Sequence, residues 1–295
     1  MTLALKGSIM ADKKVVISAD STCDLNEELK KQYNVQYYPF YINLRDKDYK
    51  DGVDITLEEM FNAYYEDKSL PKTAASSIGE FTEHFKQFTD QGAEVVHISL
   101  GHALSSAFAN ASMAAEQIDG VYVVDSCNLS NGSGQLVIRA ARMAEEGKSA
   151  KEIVDELEKI KPHVHTSFVL DTLDFMAAGG RCPAIAAKAA GMLKCKPYLS
   201  VDNSDGSLHI GKMYRGKQEM VLRKYIEDEL GKYDNLVLDD IFLCNSTGFE
   251  DSYIDELEQL ILKTAPFKRV HKTIANGTIS SHCGPRCLGI LFVTD

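Results

Sequence analysis

The chain lacks a basic surplus. Its 32 lysines and arginines against 43 aspartates and glutamates leave a net charge of −11. A phosphate-backbone binder draws affinity from the counterions its basic groups release, so no nucleic-acid partner is expected. The chain also lacks any apolar run near the roughly 20 residues of a membrane-spanning helix. Its opening, Met1-Thr2-Leu3-Ala4-Leu5-Lys6, has no apolar signal region. No transmembrane segment is expected, and transient contact with a membrane stays open. Met10 offers an alternative start, because patterned sequence begins at Lys13. A disulfide framework is missing too. The seven cysteines (23, 127, 182, 195, 244, 283 and 287) are odd in number and irregular in spacing, which suits a reducing compartment, so a cytoplasmic location is expected.

Several chemistries lack their marks. There is no Walker loop, no Gly-x-Gly-x-x-Gly and no Gly-x-Ser-x-Gly elbow. Gly132-Ser133-Gly134 comes closest, but it falls where a helix begins and reads as a place of close helix packing. His282, Cys283 and Cys287 are near in sequence, yet their spacing fits no common zinc pattern. No metal and no cofactor are expected. With no evident base–nucleophile pair, no catalytic residue is assigned and the chain is not read as an enzyme.

What is present is an alternation of strand and helix signals. Val15-Val16-Ile17-Ser18-Ala19 reads as a buried parallel strand, followed by the polar turn Asp20-Ser21-Thr22-Cys23-Asp24-Leu25 and a short helix. Open α/β sheets bind ligands where a strand's carboxyl end meets a helix N-terminus, although Ser, Thr and Asp also simply cap helices. Val35 to Ile42 reads as one strand. Thr56 with Glu59, Ser77 with Glu80, and Ser149 with Glu152 read as capping boxes. Strands over 94–100 and 121–124 and helices over 104–118 and 129–146 complete a Rossmann-like parallel-sheet half, 12–161. Pro162 marks a boundary. Beyond it, hairpin signals around Asp202–Gly206, helices over 217–230 and 253–264, and strands over 165–170, 240–244, 268–274 and 288–293 predict an α+β half, 162–295.

Five polar turns stand where strands or helices end: Asp20-Ser21-Thr22, residues 71–76, residues 99–106, Gly179-Gly180-Arg181-Cys182-Pro183 and Ser281-His282-Cys283-Gly284-Pro285. Gly179-Gly180 before Pro183 reads as a helix C-cap and stop. That is the favoured local reading; the functional one is an Arg181 guanidinium held at a glycine-rich bend, suited to a carboxylate or phosphate. Gly284-Pro285 fits an ordinary turn, and His282 beside it suits hydrogen bonding to an anion.

In order and spacing these turns resemble the DegV family, the fatty-acid-binding proteins that serve bacterial fatty acid kinase. The resemblance runs from about Lys13 to Val293. It is carried by Asp20-Ser21-Thr22-Cys23-Asp24-Leu25, Tyr49-Lys50-Asp51-Gly52, Pro71-Lys72-Thr73-Ala74, Leu104-Ser105-Ser106-Ala107, Asp125-Ser126, Gly179-Gly180-Arg181, Lys196-Pro197 and His282-Cys283-Gly284. It implies a two-domain α/β protein with one long-chain fatty acid between the domains. A partner kinase, the catalytic subunit of fatty acid kinase, would phosphorylate the carboxylate to an acyl phosphate. Thr73 and His282 match the family's carboxylate ligands. Where the family has a serine before Leu-Ser-Gly-Thr, this chain has Gly101-His102. His102 could replace the lost hydroxyl, with Ser105 contributing at the helix start. Ser21, Thr22 and Gly284 are lesser candidates for contact, and Arg181 matches an arginine at the pocket mouth. Loss of hydroxyls at several of these turns implies that the head group or chain length differs from the family norm. Each buried CH₂ favours such binding by about 0.8 kcal/mol. The competing reading is an enzyme acting on a small anionic metabolite at the sheet's carboxyl edge. A pure interaction module fits the converging turns less well.

Overall fold

The computed structural model describes residues 14–188 and 195–295; the alternative start at Met10 lies outside the described residues. β1 (Val15–Asp20) leads through a 3-10 turn (Ser21–Cys23) to α1 (Glu27–Gln32), β2 (Gln36–Tyr38), β3 (Tyr41–Leu44) and β4 (Lys47–Lys50). Then come α2 (Leu57–Asp67), β5 (Lys72–Ala74), α3 (Ile78–Thr89), β6 (Glu94–Ser99), α4 (Ala107–Ala115), β7 (Val121–Asp125), α5 (Ser130–Glu145) and α6 (Ala150–Ile160). The chain continues through β8 (Val164–Val169), α7 (Asp174–Gly179), α8 (Pro183–Lys188), β9 (Cys195–Val201), β10 (Leu208–Arg215) and α9 (Gln218–Leu230). It ends with β11 (Asp240–Asn245), α10 (Asp251–Thr264), β12 (Arg269–Ile274), α11 (Gly277–Cys283) and β13 (Leu288–Val293).

Local signals act where the sequence places them. Thr56, Ser77 and Ser149 cap α2, α3 and α6, and in each case the glutamate three residues on reaches back to the cap's own N–H. β1, β2, β6 and β7 pair in parallel in the order β2-β1-β6-β7. The order reverses between β1 and β6, so their carboxyl ends flank a crevice, the usual ligand position of such sheets.

Val35 to Ile42 is not one strand. Pro39 has no N–H to give a ladder, so β2 stops at Tyr38. β3 turns away into a separate antiparallel sheet, β4-β3-β5, in which Ile42 pairs with Thr73. The third sheet is mixed, in the order β10-β9-β8-β13-β11-β12, with only β11 and β12 parallel.

Period-two alternation decides what that mixed sheet faces. Ile241, Leu243, Ile290 and Phe292 turn toward α9 and α10, packing with Leu222, Ile226, Leu257 and Ile261. Phe242, Cys244 and Leu291 turn the other way, into a core shared with Leu136, Val137 and Ala140 of α5 and Ile17 and Ile98 of the parallel sheet. α5 is thus a middle layer, touching β1 and β6 on one side and β8 and β13 on the other. The glycines at its start allow this. A Cβ on Gly132 would stand 2.1 Å from Asn128 Oδ1 and 2.3 Å from Thr166 Oγ1, and one on Gly134 would stand 2.9 Å from the Cys23 carbonyl.

Candidate functional site

The opening motif is a buried junction. One oxygen of Asp20 accepts the Thr22 N–H (3.2 Å) and the Thr22 hydroxyl, and the other accepts the Leu100 N–H at 2.9 Å. These bonds tie the end of β1 to the end of β6. Ser21 Oγ donates to Asp51 (2.7 Å) and accepts the Phe40 N–H (3.1 Å). Asp24 accepts from Ser130 Oγ (2.5 Å) and from the Asn276 N–H (2.8 Å). Burial pushes the Asp20 carboxyl up to about 6 and holds Asp24 well above the usual carboxylate range. Ser21 and Thr22 are fully buried and committed to these partners, so they brace the site from behind.

In front of the junction lies a narrow, mostly apolar cleft of about 530 Å³, counting its open mouth. Phe40, Leu100 and Leu104 line it from one side, and Phe168, Met176 and Ile279 from the other. A second hollow of about 340 Å³ adjoins it, sharing Leu129, Phe168, Ile279 and Cys283 as a common wall. Four residues singled out in the sequence, Thr73, Ser105, Arg181 and His282, come together on the first cleft.

Thr73 sits on β5, held there by the β3 ladder. His282 sits on α11, which the sequence reads as a turn because Gly284-Pro285 follows it. Thr73 Oγ1 and His282 Nε2 are 2.9 Å apart. Burial, with the Arg181 charge adding to it, pushes the imidazole down to about 4, so it is neutral at pH 7. Its Nδ1 is buried without a hydrogen-bond partner among the described residues. A Cβ on Gly179 would stand 2.1 Å from that nitrogen. The Gly179-Gly180 pair therefore does two things. Gly180, at φ +69°, closes α7 in the left-handed region, and Gly179 leaves room for the imidazole.

Arg181 reaches over the mouth. Its Nε donates to the Leu104 carbonyl at 3.2 Å and its Nη1 to the Gly179 carbonyl at 2.7 Å, contacts that place the cation without neutralising it. Ser105 Oγ accepts the Ala107 N–H at 3.2 Å. α4 begins at Ala107, three residues later than the helix signal at Leu104.

Besides Ser21 and Thr22, two candidates are not among the residues that line the cleft. His102 lies on the outer side of the turn after β6, its side chain 52% exposed, and its Nδ1 is 2.6 Å from Asp125 Oδ2. The structure thus pairs His102 with Asp125 and does not place it among the residues that line the cleft. Gly284 serves geometry. Its φ of +73° and a would-be Cβ 2.7 Å from Phe175 leave space for nothing larger than hydrogen.

Sequence reasoning missed Thr278, Ile279 and Cys283, which with His282 form one face of α11 on the cleft. Their spacing (i, i+1, i+4, i+5) was the available signal. Phe40, also on the cleft, carried none.

Residues 14–295 match the family model described as "Uncharacterised protein, DegV family". The chain belongs to the DegV family. A DegV domain-containing protein of Caldanaerobacter subterraneus subsp. tengcongensis is 32% identical over 286 residues, covering 95% of this chain and 99% of the relative. Among solved structures, a DegV family protein from Thermus thermophilus, described as binding fatty acid, superposes with a TM-score of 0.85 at 26% identity, covering 96% of this chain and 100% of the other. The Streptococcus pneumoniae fatty acid kinase B3 protein, loaded with linoleic acid, has a TM-score of 0.80 at 19% identity, covering 96% and 100%. At that identity the likeness is one of fold. In this DegV chain the parallel sheet and the mixed sheet meet across α5, with the cleft drawing its walls from both sides of Pro162.

Proposed function

We propose that this chain binds a long-chain fatty acid in the apolar cleft and presents its carboxylate to a partner kinase for conversion to an acyl phosphate. The observation that carries the reading is the Thr73–His282 pair on a cleft whose wall is mostly Leu, Ile, Phe and Met. A buried carboxylate is costly without fixed donors. Here the neutral imidazole, with its proton on Nε2, donates to Thr73 Oγ1 and leaves the Thr73 O–H for the carboxylate, and the Arg181 cation stands at the mouth. The acyl chain would pass the shared wall at Leu129 and Ile279 into the second hollow, each CH₂ adding about 0.8 kcal/mol. The Thermus relative described as binding fatty acid supports the ligand, and the pneumococcal fold neighbour suggests the kinase. In this reading 12–161 and 162–295 are the two halves that enclose the ligand, Thr73, Ser105 and His282 meet the carboxylate, and Arg181 faces the transferred phosphate. The protein works in the bacterial cytoplasm without a cofactor or catalytic centre of its own.

A second reading takes Thr73 and His282 as nucleophile and base. Such pairs need a third group to orient the imidazole and stabilise its charged form. His282 Nδ1 faces Gly179 with no such group among the described residues, and burial makes the ring a weak base. The geometry therefore favours the carrier. Titrating delipidated protein with oleic acid and with its methyl ester tests it. Tight binding of the acid and much weaker binding of the ester is the expected result. Equal affinity for both would remove the carboxylate from the site.

A further inference from the structure

Outside the cleft, the turns after β6 and β7 bring together three side chains of different chemistry. His102 Nδ1 lies 2.6 Å from Asp125 Oδ2, and Cys127 Sγ lies 3.5 Å from the same oxygen. The three ligand atoms are all within 4.8 Å of one another, and among the described residues no other group of three does this. The other carboxylate oxygen is already engaged. Asp125 Oδ1 accepts the N–H of His102 (3.2 Å) and the N–H of Cys127 (3.0 Å). The carboxylate is thereby held from behind, leaving Oδ2 between imidazole and thiol. Such anchoring is what orients the ligands of a metal centre.

The backbone under these groups is tightly joined. The Gly101 N–H donates to the Asn128 carbonyl at 2.9 Å, and a Cβ on Gly101 would stand 2.9 Å from the Asn128 nitrogen. The half-exposed imidazole leaves the group open to solvent ions. A nitrogen, a carboxylate oxygen and a sulfur are the donor set of zinc-class divalent cations, with water completing the tetrahedron. An exposed ion pair beside a cysteine would need none of the convergence on one oxygen.

We propose that His102, Asp125 and Cys127 form a binding site for a zinc-class divalent cation. A bound ion would clamp the turn after β6 to the turn after β7. The first of these turns carries Leu104 and Ser105 to the cleft, and Arg181 rests on the Leu104 carbonyl, so the clamp lies one step behind the mouth. The sequence hides it because His102 and Asp125 share no helical or strand periodicity.

Cobalt(II) titration of tag-free, chelator-treated protein tests the site. Wild type should bind one ion per chain with a thiolate-to-cobalt charge-transfer band, and zinc(II) should displace it. Cys127→Ser should abolish the band, and His102→Ala should weaken binding by about tenfold or more, with unchanged melting curves showing that both variants fold. No cobalt binding at high micromolar concentration, binding without the thiolate band, or binding unaltered in either variant would overturn the proposal.

Discussion

Thr73 and His282 are 209 positions apart, yet their side-chain oxygen and nitrogen stand 2.9 Å from each other. Neither element that carries them is stable alone. β5 has three residues and exists by pairing with β3, and α11 has seven and packs against α2, β3 and β5. The pair therefore forms only when the two halves of the chain close on one another, which puts the polar end of the cleft at their seam.

Removing either member of this pair should weaken fatty-acid binding. Hydrogen bonds to a charged group are worth about 1.5–3 kcal/mol. Thr73→Val and His282→Leu should therefore each lower affinity by roughly 10- to 100-fold, measured by titration calorimetry with oleic acid. Because the two groups contact each other, the double variant should lose less than the sum of the singles. Unchanged affinity in both single variants would place the carboxylate elsewhere.

Gly179→Ala tests the support rather than the ligand. The new methyl would stand 2.1 Å from His282 Nδ1, so the imidazole must move. Overpacking of this kind costs about 1–3 kcal/mol. The expected outcome is a lowered melting temperature together with loss of fatty-acid affinity comparable to that of His282→Leu. Full affinity with an unaltered melting curve would mean that the ring has another position from which it serves equally well.

Arg181 touches carbonyls at the mouth and does not contribute to the apolar wall. Arg181→Ala should thus impair kinase-dependent acyl-phosphate formation more than fatty-acid binding. Parallel loss of both would make the arginine a plain carboxylate ligand.

A buried histidine pair sets a pH dependence of stability. Ser18 Oγ is hydrogen-bonded to His84 Nε2 (2.8 Å) and His97 Nδ1 (3.0 Å) beneath Phe81 and Phe85. Burial pushes His84 down to about 4 and His97 to about 3, from an ordinary 6.5. The unfolded chain therefore binds more protons than the folded one from pH 6.5 downward. The pair's contribution is complete above pH 6.5 and is lost as pH falls toward 4. Asp20 runs the opposite way. Raised from 3.8 to about 6, it contributes fully below 3.8 and loses its contribution as pH rises through 6. Comparing variants isolates the histidine. Between pH 6.5 and 4.5, His84→Gln should lose less stability than wild type in urea unfolding, by about 2–3 kcal/mol. Parallel curves would contradict a neutral buried His84.

Much of this architecture was legible in local signals. The capping boxes at Thr56, Ser77 and Ser149 act within one turn and need no partner, so they read directly. The mostly apolar run Val15-Val16-Ile17-Ser18-Ala19 of β1 likewise announces a buried strand. Where the reading failed, stability comes from pairing across long separations. β4 spells Lys-Asp-Tyr-Lys and is largely exposed, so its strand character lies in the ladder with β3 and not in its pattern. α11 begins with glycine and ends before Gly284-Pro285, and its helical spacing was masked by that turn signature. The roles of Ser21 and Thr22 were half visible. Their polarity pointed to a site, but only the structure gives their hydroxyls buried partners in Asp51 and Asp20. The pairing of His102 with Asp125 was not legible for a related reason, since nothing in its neighbourhood announces a partner twenty-three residues on.

The most direct measurement is denaturing extraction of the purified protein followed by mass spectrometry of the released lipid. A fatty acid near one per chain is the expected result, with delipidated protein taking up added oleic acid to the same ratio. No acyl chain in the extract, together with no uptake of added fatty acid, would contradict the carrier.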